Sequence, residues 1–242
     1  MPNWTTNIVA MRAEDMDKVL NAEGSFDFNL IRPMPESLNI CEGSDADAAV
    51  KAAEARRRKD REAFDAAVAE ARLPWRKPPF DTGAAFMECE TPDQLADIGE
   101  VYIGNVEKHG ARSWYDWCYD NWNTKWNACE TYVVDRGPYK VAAFQTAWAC
   151  PSLEMLKELA VRNGSPVWIE WADEDFDGVK CALLSPSGKG YGFGGQLAMS
   201  LHAVTVSDGD GEEWEDFELG AVSETEIARR LELARVLERK TA

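Results

Sequence analysis

Asp173, Asp175, Asp177 and Gly178 spell D-x-D-x-D-G, the opening half of a calcium-binding loop. The closing half is missing: the twelfth position falls on Leu184, where such a loop needs a bidentate glutamate. An acidic hairpin turn fits better, with a calcium loop of another kind left open. Glycines at 188, 190, 192, 194 and 195 lack the G-K-[ST] ending that would cradle a phosphate, and with Tyr191 and Phe193 interleaved they read as a bulged or twisted strand. The six cysteines form no C-x-x-C, and the two histidines, His109 and His202, are far apart, so neither zinc nor any cofactor is expected. No Ser-His-Asp order, nucleophile elbow or Cys-His pairing stands out either.

The densest chemistry lies in "WYDWCYDNWNTKW", residues 114–126. Trp114, Trp117, Cys118, Asn121 and Trp122 recur at helical steps and read as one face that would be core against a sheet. The chain then turns at Asn123-Thr124. Asn121, Thr124 and Lys125 are its polar residues of interest, able to satisfy buried backbone, bind an anion, or line a pocket in an enzyme or nucleotide-binding protein.

Charge is the second signal. Forty-three acidic against 26 basic residues give −17, which repels phosphate backbones and argues against direct nucleic-acid binding. It favours solubility and basic partners, including surfaces that themselves bind nucleic acid. Two acidic stretches stand out: Glu170, Asp173, Glu174, Asp175 and Asp177, then Asp208, Asp210, Glu212, Glu213, Glu215 and Asp216 around Trp214 and Phe217. Acids spaced along an extended segment with embedded aromatics can imitate nucleic acid; a solvated loop is the plainer reading of 207–220. No signal peptide or membrane-length apolar run is seen, so reduced thiols in a cytoplasm are expected, with no membrane partner.

The elements that must position these residues can be read from local signals. "MPNWTTNIVAMR" is a strand, and "SFDFNLIRPMPESL" is extended because of Pro33 and Pro35. Residues 44–72, alanine-rich with alternating charges, predict one mostly solvated helix capped by Ser44 or Asp45; its Arg56-Arg57-Arg58-Lys59 run reads as a solvated face. Thr91 and Pro92 start a helix whose apolar face is Leu95, Ile98, Tyr102 and Val106, ended by Gly110. A hairpin follows at 131–148, then a helix from Pro151-Ser152 to Asn163, a strand at 166–173, further strands, and a C-terminal helix opened by a Ser223/Glu226 capping box. Strand, helix, hairpin, helix, strand predicts an α+β, ferredoxin-like split βαβ antiparallel sheet. The expected domains are a 1–178 core with a helical insertion at 44–72, and a 179–242 extension of β-hairpin and helix packed on the core.

"MPNW", "DFNLIRPMPESL" (27–38), "WYDWCYDNWNTKWNA" (114–128) and "FQTAW" (144–148) occur in that order. Together they resemble the YubB-type ferredoxin-like family of plasmids and phages, with its M-P-N-W, D-F-N-x-[IL]-x-P-M-P, W-Y-x-W-C-x-x-N-W-G-T-K-W-x-A and F-x-T-A-W. The likeness covers residues 1–40 and 110–178. Asn123 stands where the family has glycine, and asparagine tolerates the left-handed turn. The resemblance implies a ferredoxin-like fold and a mobile-element accessory protein, with no catalytic mechanism attached. The leading expectation is therefore an acidic, phage- or plasmid-encoded inhibitor of a host CRISPR effector or restriction enzyme, binding the basic surface of that nucleic-acid-handling complex through the acids named above. An enzyme, or a structural module that oligomerises through its C-terminal amphipathic helix, are the other readings.

Overall fold

A computed structural model describes residues 3–77, 84–174, 177–207 and 213–240, with side chains left aside at 202–207, 213–219 and 240. In chain order the elements are β1 (Trp4–Arg12), α1 (Ala13–Met16), α2 (Ser44–Arg58), α3 (Arg61–Ala71), α4 (Pro92–His109), α5 (Trp114–Trp122), β2 (Cys129–Arg136), β3 (Tyr139–Ala147), α6 (Leu153–Asn163), β4 (Val167–Asp173), β5 (Lys180–Leu184), β6 (Gly190–Gly194), β7 (Leu201–Ser207), β8 (Glu213–Leu219) and α7 (Glu224–Lys240). The chain gathers into two units, Met1–Pro33 with Asn121–Ala242, and Met34–Asp120. Among the described residues no helix is long and apolar enough to cross a membrane.

The first unit is mixed α/β, built on a six-stranded antiparallel sheet ordered β2-β3-β1-β4-β5-β6, with β7 and β8 as a separate pair. β1 lies inside the sheet, and Ile8, Val9, Ala10 and Met11 are all buried because both faces are covered. On one face Phe144 stacks on Phe26 at 4.8 Å and meets Phe28 edge-on at 6.0 Å, and Phe28 in turn meets Trp122 at 5.7 Å. On the other, Ile8, Trp168, Cys181 and Leu183 share a core with Ile227, Leu231 and Ala234 of α7. The α7 stripe thus packs within its own unit. The expected boundary at 178/179 falls inside this sheet, since β5 pairs with β4 from Trp171↔Lys180 to Val167↔Leu184. The segment read as extended instead makes one-turn helices at Phe28–Leu30 and Glu36–Leu38; Asp27 nucleates the first by accepting from the Asn29 amide at 2.8 Å. Ser152 caps α6 and Gly164 ends it with φ 62°, as the local signals predict.

In the second unit, the single solvated helix expected over 44–72 is two helices. Lys59 turns left-handed (φ 57°), and Asp60 restarts the chain by capping the Ala63 amide at 3.1 Å. Neither Ser44 nor Asp45 caps α2: the N-cap is Gly43, with no side-chain cap bond. Nor is α2 mostly solvated. Ala46, Ala48, Ala49, Ala52, Ala53 and Ala55 are buried, and a Cβ on Gly99 of α4 would lie 2.0 Å from the Ala49 carbonyl oxygen. Small residues let the α2 and α4 backbones touch, so alanine here is core rather than filler. The basic run stays on the surface: Arg56 pairs with Asp97 at 2.8 Å, Arg57 with Glu100 and Arg58 with Glu54 at 3.5 Å. Thr91 and Gln94 form a capping box on α4, and Leu95, Ile98 and Tyr102 are buried as its periodicity predicts, whereas Val106 is exposed.

Candidate functional site

Stretches widely separated in sequence meet at one end of the six-stranded sheet. β1 begins there while β3 and β4 end there, with Trp4 opposite Ala147 and Thr5 opposite both Thr146 and Asp173. The Trp148 amide donates to the Asn3 carbonyl at 2.7 Å, and the Glu174 amide to the Trp4 carbonyl at 2.8 Å. The turn after α5 reaches the same place. Asn123 adopts φ 63°, donates from Nδ2 to the Cys150 carbonyl at 2.9 Å, and so does the work of a turn glycine. The Lys125 amide donates to Ala147 at 3.4 Å.

This geometry makes an indole-walled surface. Lys125 Nζ lies 5.0 Å from the Trp126 ring centre and 5.2 Å from that of Trp148, while Trp4 tilts against Trp126 at 6.0 Å. Both indole faces attract the ammonium, so Lys125 is held in place rather than waving in solvent. Trp148 is 38% exposed, leaving one wall open. Of the other polar residues singled out, Thr124 is buried and its hydroxyl donates to the Trp126 carbonyl at 2.7 Å, a turn-stabilising role. Asn121 sits in the last turn of α5, where its carbonyl accepts from Arg32 Nη1 at 2.9 Å. Of the helical face read as core, Trp117, Cys118 and Trp122 are buried, whereas Trp114 and Asn121 stay partly exposed.

Carboxylates border the indoles. Asp173 accepts from the Thr5 hydroxyl at 2.7 Å and lies 3.7 Å from Lys180; Asp177 holds the same lysine at 2.6 Å; Glu174 accepts from the Trp4 amide at 2.9 Å. Glu170 corrects the sequence reading. It is fully buried, accepting from Trp168 Nε1 at 2.8 Å and from the amides of Met199, Ser200 and Leu201 at 2.5, 2.9 and 3.0 Å. It anchors the chain entering β7 and offers nothing to a partner. Asp175, Asp208, Asp210 and Glu212 lie outside the described residues, and Glu213, Glu215 and Asp216 fall on β8, where only the backbone is described.

The chemistry open to this end of the sheet is binding by charge and ring face. Burial, reinforced by the Asp173 charge, pushes the nearby Cys150 thiol up to about 12, and burial alone lifts Cys118 to about 12. Both are therefore protonated near neutrality and poor nucleophiles. Among the described residues no three His, Cys, Asp or Glu side chains are placed to hold a metal ion. Sequence reasoning missed the Trp126–Lys125–Trp148 stack. Its signal was present, since "TKW" and "TAW" each end a segment that must pass the start of β1.

No protein-family model and no curated protein matches the chain. Among solved structures it is similar to the protein api92 from Yersinia pseudotuberculosis, assigned to the family DUF1281, at 10% identity and a TM-score of 0.42, over 80% of this chain and 99% of that one.

Proposed function

We propose that the protein is a non-catalytic, mobile-element-encoded inhibitor that binds the basic surface of a host nucleic-acid-handling defence complex, a CRISPR effector or a restriction enzyme. The observation that carries this reading is the charge of −17. Arg56, Arg57, Arg58, Arg112 and Lys180 are all engaged by neighbouring carboxylates within the chain, so the uncompensated surface charge is acidic. Asp173, Glu174 and Asp177 beside exposed Trp148 supply the two things an arginine-rich surface prefers, carboxylates and an indole face. The acids at 208–216 extend the same logic, and a run of them can stand in for successive phosphates.

The ferredoxin-like reading of the fold belongs to this proposal. In its support, β1 to β4 take the order β2-β3-β1-β4, all antiparallel, with α6 linking β3 to β4. The resemblance of four motifs to the YubB-type family, three of which meet at the indole-walled end, is what supports the mobile-element origin.

The test is an affinity pull-down from host lysate across a salt series, repeated with the triple variant Asp173→Lys, Glu174→Lys, Asp177→Lys. Capture of a nucleic-acid-binding complex that elutes steeply with salt and is lost in the variant supports the reading. Capture unchanged by the variant removes this end of the sheet from the interface. A second reading rests on Lys125 between its indoles, an arrangement that suits a nucleotide's ring and phosphate. A rise in melting temperature with nucleotides but with no protein partner captured would favour it.

A further inference from the structure

The second unit contains a cavity of about 250 Å³ at the start of α2 that none of the readings above uses. Its walls are aromatic and soft: Trp75, Phe86, Met87 and Tyr102. Its rim carries Glu42 and Asp45, and among the described residues no Lys or Arg lines it. We infer that this cavity is a receptor for an alkylammonium group, carried by a small amine or by a lysine side chain.

Three features point to a cation. Ring faces and a thioether attract positive charge and give no hydrogen bond to an anion. The two polar groups of the aromatic wall are spent elsewhere, the Tyr102 hydroxyl on the Cys41 carbonyl and the Trp75 N–H on the Ala71 carbonyl, each at 2.6 Å, leaving the rings as the surface on offer. The rim charge is not balanced. Arg112 binds both Glu42 and Asp47, the latter at 2.6 Å, and the Ser113 hydroxyl also donates to Glu42; Asp45, by contrast, is exposed and has no ion-pair partner among the described residues. The one guanidinium is therefore already shared among Glu42, Asp47 and, at 3.9 Å, Asp116, with none left for Asp45. The same field shows at Tyr102, whose phenol is pushed up by burial first and then by the Glu42 charge, with Asp45 adding to it. An anion approaching the amides at the start of α2 would be repelled by the carboxylates of Asp45 and Asp47 in its first turn.

The experiment follows the Trp75 indole N–H, which donates to the Ala71 carbonyl at 2.6 Å, by ¹H–¹⁵N spectroscopy of the whole chain, with its peak assigned by loss in Trp75→Phe. The probes are tetramethylammonium and n-butylammonium, their neutral isosteres tert-butanol and 1-butanol, acetate, and a peptide carrying one lysine. Saturable shifts are expected with the ammonium ions, at least about tenfold weaker with the alcohols, and absent with acetate. Asp45→Asn should weaken ammonium binding about fivefold with an unchanged unfolding midpoint, because Asp45 is exposed and caps nothing. Tighter binding of the peptide than of butylammonium assigns the group to a protein lysine, equal binding to a free amine. Equal response to alcohol and ammonium, binding of acetate instead, no shift with any probe, or an Asp45→Asn variant that binds as well as the parent would each overturn the inference.

Discussion

Replacing Glu170 by glutamine tests whether this acid is an internal anchor or a surface contact. Oε1 accepts from Trp168 Nε1 at 2.8 Å and from the Met199 amide at 2.5 Å; Oε2 accepts from the Ser200 and Leu201 amides at 2.9 and 3.0 Å. Glutamine keeps the shape but exchanges one oxygen for an NH2 group, so two donors lose their acceptor and confront another donor. Hydrogen bonds to a charged acceptor contribute about 1.5–3 kcal/mol each, so roughly 3–6 kcal/mol is lost. Burying an amide rather than a charge returns part of this, leaving a net destabilisation of about 2–4 kcal/mol. For a chain of this size, that corresponds to a drop of roughly 5–15 °C in the melting temperature.

The loss should also have an address. Amide exchange should accelerate first at Met199, Ser200 and Leu201, where the chain enters β7, before it does so at β1. The assay is a urea or thermal melt paired with residue-resolved exchange. A variant that melts like the parent with unchanged protection at 199–201 would refute the anchor. A variant that keeps its stability but loses partner capture would return Glu170 to the surface, as its neighbours in sequence had suggested.

Three further outcomes are expected. Gly99→Ala should destabilise the second unit by about 1–3 kcal/mol, read as a lower urea midpoint, because the new Cβ meets the Ala49 carbonyl oxygen at 2.0 Å; Ala53→Gly should recover only part of this, since the clash is chiefly with backbone. Asp15 is buried, which raises its pKa, but bonds from Lys18, Ser165 and Arg12 outweigh this and hold it below 3.8. Its stabilisation is therefore present above that value and lost as pH falls through the lower folded-state pKa, so the stability gap between the parent and Asp15→Asn should be full near neutrality and close in strong acid. Lys125→Ala removes two ring contacts of about 0.5–1 kcal/mol each, so it should lower stability only modestly while changing the fluorescence of Trp126 and Trp148; partner and ligand binding that survive it would take Lys125 out of the site.

Which features could be read from the sequence follows from where their information resides. The ends of α4, α6 and α7 are encoded by residues within a turn of each boundary: Thr91-Pro92 and Gly110, Ser152 and Gly164, Ser223 with Glu226. The β2–β3 hairpin is likewise local, two strand-formers around Gly137 at φ 62°. α2 was misjudged because alanine scores as neutral in any apolar count. Its meaning comes from a partner helix forty to fifty residues away that offers Gly99, and the clue was spacing rather than hydrophobicity, with Ala46, Ala49 and Ala53 on one face.

Glu170 shows why counting acids along a sequence overstates an acidic surface. In β4, alternation places it on the same face as Trp168 and Ala172, both buried against the core shared with α7. A period of two was enough to mark it as inward-facing; what the pattern could not supply was the donor set at 199–201, which arrives only when the chain returns to enter β7. Asp173, three residues on, is on the opposite face and half-exposed, at the end of the sheet where Trp4 and Trp148 lie and where the proposed interface is placed. The carboxylates open to a partner are therefore fewer than the sequence count. At the indole-walled end of the sheet, among the described residues, Asp173 and Asp177 share the one cation Lys180 and Glu174 is held only by the Trp4 amide, so acid outweighs base there beside an exposed ring, which is why charge reversal is placed at Asp173, Glu174 and Asp177 rather than at Glu170.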